Sequence, residues 1–217
     1  NTIWSFPTRG SWATHDSKYR GNWSPYIPRN VILRYSEEGD LVLDQFVGSG
    51  TTLIEARLLN RECIGLDVNP DSIKISLNKL RLPSRFSSNV SVSVGDARNL
   101  QDIYADSIDL ICTHPPYANA IQYSSDIKND LSRLTHQEFN IEMGKVAAEC
   151  FRVLKKGKFC AILIGDIRKQ GSNIPIGFQT LNTFLDAGFG LKEIVIKVQH
   201  NCKSTGIWIQ RSKKYNF

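Results

Sequence analysis

The 217-residue sequence lacks several features that would place it in other protein classes. No apolar run comes near the ~20 residues that a membrane-spanning helix needs, and no secretory signal pattern opens the chain. The five cysteines are scattered, odd in number and free of any Cys-x-x-Cys pair, which argues against a disulfide framework and against a zinc or other metal site. We therefore expect a protein of a prokaryotic-type cytoplasm, with no membrane and no metal.

Positive charge is in excess and is unevenly distributed. The chain has 27 Lys and Arg against 21 Asp and Glu, a formal net charge of +6. Residues 155–217 hold 11 of the basic and three of the acidic residues, a net of +8, which leaves 16 basic and 18 acidic residues, a net of −2, for residues 1–154. A polyanion such as nucleic acid is the partner that this C-terminal charge predicts.

Short β-branched segments alternate with helical patterns from about residue 40 onward, an order typical of an α/β protein with a parallel sheet and crossover helices. The patterns predict strands over residues 40–44, 62–67, 90–94, 107–113, 158–165 and 191–199, and helices over 51–60, 70–80, 135–154 and 175–187. A doubly wound sheet of this kind binds its ligand at the carboxyl ends of its strands.

Residues 1–30 differ from the rest because they are rich in aromatic residues and proline. We expect them to form an arm that packs on the domain over residues 31–217. The chain opens on Asn1 rather than Met, and its last predicted strand has no clear hairpin partner. We therefore expect that the sequence is part of a longer protein and that its C-terminal strand is incomplete.

The first predicted strand leads into a glycine-rich turn, Asp44-Gln45-Phe46-Val47-Gly48-Ser49-Gly50-Thr51-Thr52. Glycines let the backbone approach a ligand closely, and the following helix start offers free N–H groups. The dinucleotide fingerprint is absent because Leu53 stands where its third glycine belongs, and the phosphate loop is absent because no Lys follows at the required spacing. The remaining interpretations are a plain strand-to-helix turn, or a ligand loop in which Asp44 holds an ammonium group.

Two more carboxylates end predicted strands at the same edge of the sheet. Asp67, followed by Val68 and Asn69, stands 23 residues after Asp44, where folds of this kind bind ribose hydroxyls. Asp96, followed by Ala97, ends the third strand and is placed to accept from an exocyclic adenine amine. Each alone is as easily a turn former or helix cap, but the set matches an ammonium, a ribose and an adenine, which together describe S-adenosylmethionine.

The segment Thr113-His114-Pro115-Pro116-Tyr117 follows the fourth predicted strand. Two prolines fix the backbone and remove two N–H donors, which leaves carbonyl oxygens as acceptors beside an aromatic ring. Such a loop can accept hydrogen bonds from the exocyclic amine of a flipped-out base while Tyr117 stacks on that base. A merely rigid turn is the alternative.

Both motifs resemble those of the amino-DNA methyltransferases, which modify cytosine N4 or adenine N6. The first resembles D-x-F-x-G-S-G-T-T and the second T-S-P-P-Y. The resemblance implies a Rossmann-like class I methyltransferase fold, a doubly wound, mostly parallel sheet with helices on both faces and an antiparallel seventh strand. It implies S-adenosylmethionine as cofactor, DNA with a flipped base as partner, and restriction–modification as the setting. It also implies that Phe46 packs near the adenine and that the arm around Trp23 and Pro25 covers the methionine end.

Two departures from the family pattern leave alternatives open. His114 stands at the position of the catalytic motif where the family usually has Ser, Asn or Asp. A neutral imidazole nitrogen can still accept a hydrogen bond from the target amine. Only 17 residues separate Tyr117 from Thr135, too few for a recognition domain, so sequence reading needs the C-terminal region, a missing segment or a specificity partner. Thr113 favours cytosine N4 over adenine N6. The other hypotheses are an RNA base-amine methyltransferase, acting on tRNA or rRNA, and an inactive methyltransferase-like subunit that binds nucleic acid.

The predicted cofactor site comprises Trp23, Pro25, Asp44, Phe46, Gly48, Ser49, Gly50, Thr51, Thr52, Asp67, Val68, Asn69, Asp96 and Ala97. The predicted catalytic residues are Thr113, His114, Pro115, Pro116 and Tyr117. Arg168 and Lys169, after the fifth predicted strand, and Lys203, after the sixth, are expected to contact the nucleic-acid backbone, with solvated basic turns as the alternative.

Overall fold

A computed structural model describes residues 2–82, 88–121, 123–124, 126–169 and 171–200. Its central strands are β2 (Leu41–Asp44), β3 (Glu62–Asp67), β4 (Val90–Val94), β5 (Ile108–Thr113) and β6 (Leu154–Ile162). They form one parallel sheet in the order β4-β3-β2-β5-β6. The helices of the described part are α1 (Tyr26–Tyr35), α2 (Thr51–Leu58), α3 (Pro70–Lys79), α4 (His136–Val153) and α5 (Ile176–Asp186).

Hydrophobic residues cover both faces of this sheet. On one face, Leu43 belongs to a buried cluster with Phe139 of α4. On the other, the adjacent Val42 belongs to a second cluster with Leu53 of α2. Because successive side chains of a strand point to opposite faces, neighbouring residues of β2 enter different cores. The predicted doubly wound α/β fold is confirmed, and no helix in the described ranges is long and apolar enough to cross a bilayer.

Local sequence signals set the starts of two helices as predicted. The Asn69 side chain accepts from the Asp71 backbone N–H at 2.9 Å, with Pro70 as the first residue of α3. Thr135 and Glu138 form a reciprocal capping box at the start of α4. These caps satisfy backbone groups that would otherwise lack partners.

The fifth predicted strand is displaced toward the N-terminus. Strand β6 begins at Leu154, directly after α4, and its basic first residues bind carboxylates: Lys155 Nζ lies 2.8 Å from Asp109 Oδ1. Gly157, with φ +76°, lies within the part of β6 where the register against β5 shifts. Strand β6 ends the row of described strands, and most of its side chains are only half-buried.

The sixth predicted strand is much shorter than expected and lies outside the central sheet. Only Ile196–Val198 forms a strand, β9, and it pairs in parallel with β1 (Ile3–Ser5) of the arm. Strands β7 (Ile167–Lys169) and β8 (Ser172–Ile174) form a separate antiparallel hairpin. The antiparallel seventh strand that the family resemblance implies is not among the described strands of the central sheet.

Candidate active site

A cleft lies at the carboxyl edge of the sheet, where β2, β3 and β5 end. Residues of the predicted cofactor site line it: Trp23, Phe46, Gly48, Ser49, Thr51, Asp67, Val68, Asn69, Asp96 and Ala97. From the predicted catalytic loop, His114 and Pro116 line the same cleft. Strands β2 and β5 are direct neighbours, so the sheet order brings two motifs that are distant in sequence to one cleft.

The remaining predicted residues are not among those that line the cleft: Pro25, Gly50, Thr52, Thr113, Pro115, Tyr117 and Asp44. Asp44 is almost fully buried. Its Oδ2 accepts from Thr52 Oγ1 at 2.5 Å, and its Oδ1 accepts from Thr113 Oγ1 at 2.7 Å. Burial raises the pKa of Asp44 to about 6. Asp44 therefore connects the glycine loop to the start of the catalytic loop from beneath, and its contact with an ammonium group stays a prediction.

The glycine loop has the backbone conformation that only glycine adopts readily. Gly48 has φ +50° and Gly50 has φ +84°. A Cβ on Gly50 would lie 2.5 Å from Ser76 Oγ, so α3 packs too close for a side chain there. The loop is fixed by Asp67, whose carboxylate accepts from the Gly48 N–H at 3.0 Å and from the Asn69 N–H at 2.9 Å. Burial raises the pKa of Asp67 to about 6 against these two hydrogen bonds.

Asp96 lines the cleft but is already shared with Arg98. Its Oδ1 accepts from Arg98 Nε at 2.9 Å and its Oδ2 accepts from Arg98 Nη2 at 2.6 Å. Burial acts to raise the pKa of Asp96, but the hydrogen bonds from Arg98 outweigh it and the pKa is lowered overall. Asp96 is an ionised, oriented acceptor whose capacity for a further donor is limited to its remaining lone pairs.

His114 is held between two aromatic side chains. Its ring lies parallel to Trp23, with ring centroids 5.2 Å apart and an interplanar angle of 23°. Its Nε2 lies 2.9 Å from the Tyr117 hydroxyl. Burial lowers the pKa of His114 to about 4, so the ring is neutral at pH 7. Tyr117 in turn packs against Gly165, where a Cβ would lie 3.3 Å from the ring. Tyr117 therefore supports His114 from behind.

Five of the polar or aromatic residues of the cleft wall that lie outside the predicted site come from two segments of the chain. They come from the arm and from the segment between the catalytic loop and α4: Tyr19, Asn22, Tyr123, Asn129 and Asp130. Tyr19 and Tyr123 stack with ring centroids 6.4 Å apart. The aromatic content of the arm was a usable signal, but residues 118–134 carry no periodic pattern or motif that marks them.

The cleft is acidic. Asp67, Asp96 and Asp130 line it, and no Lys or Arg is found among its described lining residues. Gln45 Oε1 and Ser49 Oγ are buried beside it without a hydrogen-bond partner in the described structure. This set of groups suits a polar, cationic ligand and disfavours one rich in phosphate. Groups of three or more potential metal ligands are absent from the described ranges.

Two of the predicted nucleic-acid contacts, Arg168 and Lys169, are not among the described residues that line the cleft. Arg168 and Lys169 are exposed on β7 of the hairpin that follows Gly165 and Asp166. Lys203 lies outside the described residues.

Comparison with known proteins matches residues 1–78 to the DNA methylase family model N6_N4_Mtase. The Type II methyltransferase M.HpaI of Haemophilus parainfluenzae is 50% identical over 56 residues, which cover 26% of this chain and 17% of that protein. Over these segments the chain is similar to amino-DNA methyltransferases.

Two other matches cover more of the chain. The tRNA (guanine(10)-N2)-dimethyltransferase of Methanocaldococcus jannaschii is 31% identical over 115 residues, 51% of this chain and 33% of that protein. The TehB-like SAM-dependent methyltransferase structure from Corynebacterium glutamicum has a TM-score of 0.53 at 16% identity, with 86% of this chain and 85% of that chain covered. This likeness supports the class I methyltransferase fold. The matched parts span a third or less of these two curated relatives.

Proposed function

We propose that this chain is a member of the amino-DNA methyltransferase family and transfers a methyl group from S-adenosylmethionine to an exocyclic amine of a DNA base, with cytosine N4 ahead of adenine N6. One observation carries the proposal. The glycine loop after β2 and the Pro-Pro loop after β5 line a single cleft that contains three carboxylates and, among its described lining residues, no basic side chain.

The residues of the cleft match the chemistry of this cofactor. Asp67 lies at the end of β3, where it can accept from ribose hydroxyls, while Phe46 and Ala97 offer apolar walls for an adenine. Ser49 Oγ, which has no hydrogen-bond partner in the part of the chain that the structure describes, offers a further polar contact. When bound, S-adenosylmethionine supplies an electrophilic methyl group on a positively charged sulfur, and the acidic wall favours that charge.

The neutral state of His114 has two consequences for the reaction. It adds no positive charge beside a cationic cofactor, and one of its ring nitrogens can accept a hydrogen bond. We assign Nε2–H as the donor to the Tyr117 hydroxyl 2.9 Å away, which leaves Nδ1 as the acceptor. An aromatic amine is a weak nucleophile because its lone pair is delocalised into the ring. His114 Nδ1 would accept one amine hydrogen, so that the nitrogen becomes pyramidal and attacks the methyl carbon. As the carbon–nitrogen bond forms, the methyl–sulfur bond would break with its electron pair left on the sulfur of S-adenosylhomocysteine, and the amine would lose one proton to solvent. Positioning and electrostatics supply the acceleration.

The preference for cytosine rests on the family resemblance alone. Thr113, the residue that favoured cytosine N4, donates its hydroxyl to the buried Asp44 and does not line the cleft. DNA would be held in part by the basic side chains Arg168, Lys169 and Lys203. Because α4 follows the catalytic loop so closely, we propose that recognition of a target sequence needs a further segment or a partner.

A second candidate is methylation of a base amine in RNA, which the 115-residue match to the tRNA dimethyltransferase favours. One assay decides between these functions. The chain is incubated with methyl-labelled S-adenosylmethionine and duplex DNA or tRNA, and the labelled nucleoside is identified after digestion. N4-methylcytosine supports the proposal, N6-methyladenine changes the base, and label in RNA alone favours the second candidate.

Two variants serve as controls in that assay. His114→Ala should lose turnover with little change in cofactor affinity, whereas Asp109→Asn, at the opposite edge of the sheet, should keep both. Absence of label from every substrate would contradict the proposal and support the inactive-subunit hypothesis.

A further inference from the structure

A buried carboxylate behind the glycine loop holds the N-terminal arm in place. Glu55 lies on α2, one turn after Thr51, and is fully buried. Its Oε1 accepts from Trp12 Nε1 at 2.7 Å and from His15 Nε2 at 2.7 Å. Its Oε2 accepts from Arg29 Nη1 of α1 at 2.9 Å. We call these four residues, Glu55, Trp12, His15 and Arg29, the Glu55 clamp.

The arm continues from the clamp directly into the cleft wall. Tyr19, Asn22 and Trp23 line the cleft. Asn22 Oδ1 accepts from Thr51 Oγ1 at 2.5 Å, and the Tyr19 hydroxyl lies 2.9 Å from Ser72 Oγ of α3. The first half of the arm, up to His15, is thus fixed on α2. The second half, from Tyr19 to Trp23, forms one side of the cleft.

The two halves of the arm are also tied to each other. Arg9 donates to the carbonyl oxygens of Asn22 and Trp23, each at 2.9 Å. Trp12 packs against Tyr26 of α1 with ring centroids 4.8 Å apart. Movement of Trp12 and His15 away from Glu55 would therefore be transmitted to Trp23 and, through their ring contact, to His114.

We propose that Glu55 is a positioning residue that keeps the arm closed over the cleft and thereby sets the affinity for the cofactor and the position of His114. Glu55 does not line the cleft and acts only through the arm. Its effect on cofactor binding rests on the proposed function, whereas its effect on arm closure does not.

The test is Glu55→Gln. A carboxylate accepts from all three donors, but an amide has one acceptor oxygen and an NH2 group that would face a donor. Asp109→Asn is the matched control, because Asp109 is also buried, accepts from Lys155 and from the Leu41 N–H, and does not touch the arm. Trp12→Phe removes one donor while keeping an aromatic ring, and it serves if Glu55→Gln does not fold.

Arm closure is measured by trypsin cleavage after the exposed Lys18 and Arg20, with fragments identified by mass spectrometry. Glu55→Gln should be cleaved there at least tenfold faster than wild type and bind S-adenosylhomocysteine at least tenfold more weakly by calorimetry. Turnover at saturating cofactor should fall less than the affinity does, and Asp109→Asn should change neither readout.

Unchanged cleavage at Lys18 and Arg20 in Glu55→Gln, or in Trp12→Phe if only that variant folds, would overturn the clamp. Cleavage needs no cofactor, so it decides the clamp even if the wild-type chain binds no S-adenosylhomocysteine. That last result would count against the proposed function instead.

Discussion

The neutral, buried imidazole of His114 should make the stability of the protein depend on pH. Burial lowers the pKa of His114 to about 4, against ~6.5 in an unfolded chain. Between these values the unfolded state binds more protons than the folded state, so the free energy of unfolding falls as the pH is lowered. The contribution is complete above pH ~6.5 and is lost toward pH ~4.

The size of the effect follows from the two pKa values. The loss is about 2 kcal/mol by pH 5 and about 3 kcal/mol below pH 4, at 1.36 kcal/mol per pKa unit. Asp44 and Asp67 change the free energy of unfolding with pH in the opposite direction. Their pKa values are raised to about 6, so their contribution to stability is lost as the pH rises through that value. Comparison of wild type with His114→Gln removes the carboxylate contribution because both proteins share it.

The assay is urea unfolding of wild type and His114→Gln at several pH values from 8 to 5. The difference in unfolding free energy should be constant from pH 8 to 7 and should then shift by about 2 kcal/mol in favour of the variant by pH 5. A difference that stays constant down to pH 5 would mean that His114 titrates with an ordinary pKa in the folded state, and the assignment of a neutral, buried ring would be wrong.

Three further changes test other parts of the site. Asp67→Asn should weaken S-adenosylhomocysteine binding by about tenfold or more through loss of a charged acceptor. The affinity of the wild type should also fall as the pH drops below about 6. Equal affinities of wild type and Asp67→Asn by calorimetry would remove Asp67 from the cofactor site. Asp44→Ala should lower the free energy of unfolding, measured in urea, by about 3 kcal/mol or more, because it leaves buried donors without an acceptor. Asp44→Asn keeps one acceptor oxygen and should lower it less. Equal losses in the two variants would contradict the role of Asp44 as the connection between the two loops. Neutralising both Arg168 and Lys169 with Gln should reduce the salt-dependence slope of DNA binding by about 2 without changing cofactor affinity, and an unchanged slope would exclude both from phosphate contact.

Local sequence rules predicted those parts of the fold that depend on neighbours in the chain. The Asn69 and Thr135 caps, the strand at residues 62–67 and the glycine turn follow from residue type and spacing over a few positions. The last strands were misplaced because their pairing depends on distant partners, as in the contact of Lys155 with Asp109. The pairing of β9 with β1 joins segments from the two ends of the described chain.

The candidate site shows the same division. Asp67 could be located from its place at a strand end, but the burial of Asp44 could not, because its partner Thr113 is 69 positions away. The arm was recognised as aromatic, yet the carboxylate that fixes it, Glu55, looks like an ordinary charged residue of a helix in the sequence. Tertiary contact alone distinguishes it.

The placement of charge connects the arm, the cleft and the hairpin. A cationic cofactor and a polyanionic substrate need fields of opposite sign, and one uniform surface cannot favour both. Carboxylates line the cleft, and the arm forms one side of it. The basic side chains of Arg168 and Lys169 stand on a hairpin that follows Gly165, against which Tyr117 packs. Between these two regions lies His114, whose neutrality keeps it from repelling the cofactor. A protonated His114 would bring a positive charge into the acidic cleft. It would thereby weaken the difference in charge between the cleft and the basic hairpin, on which selective binding of the cofactor and of nucleic acid depends.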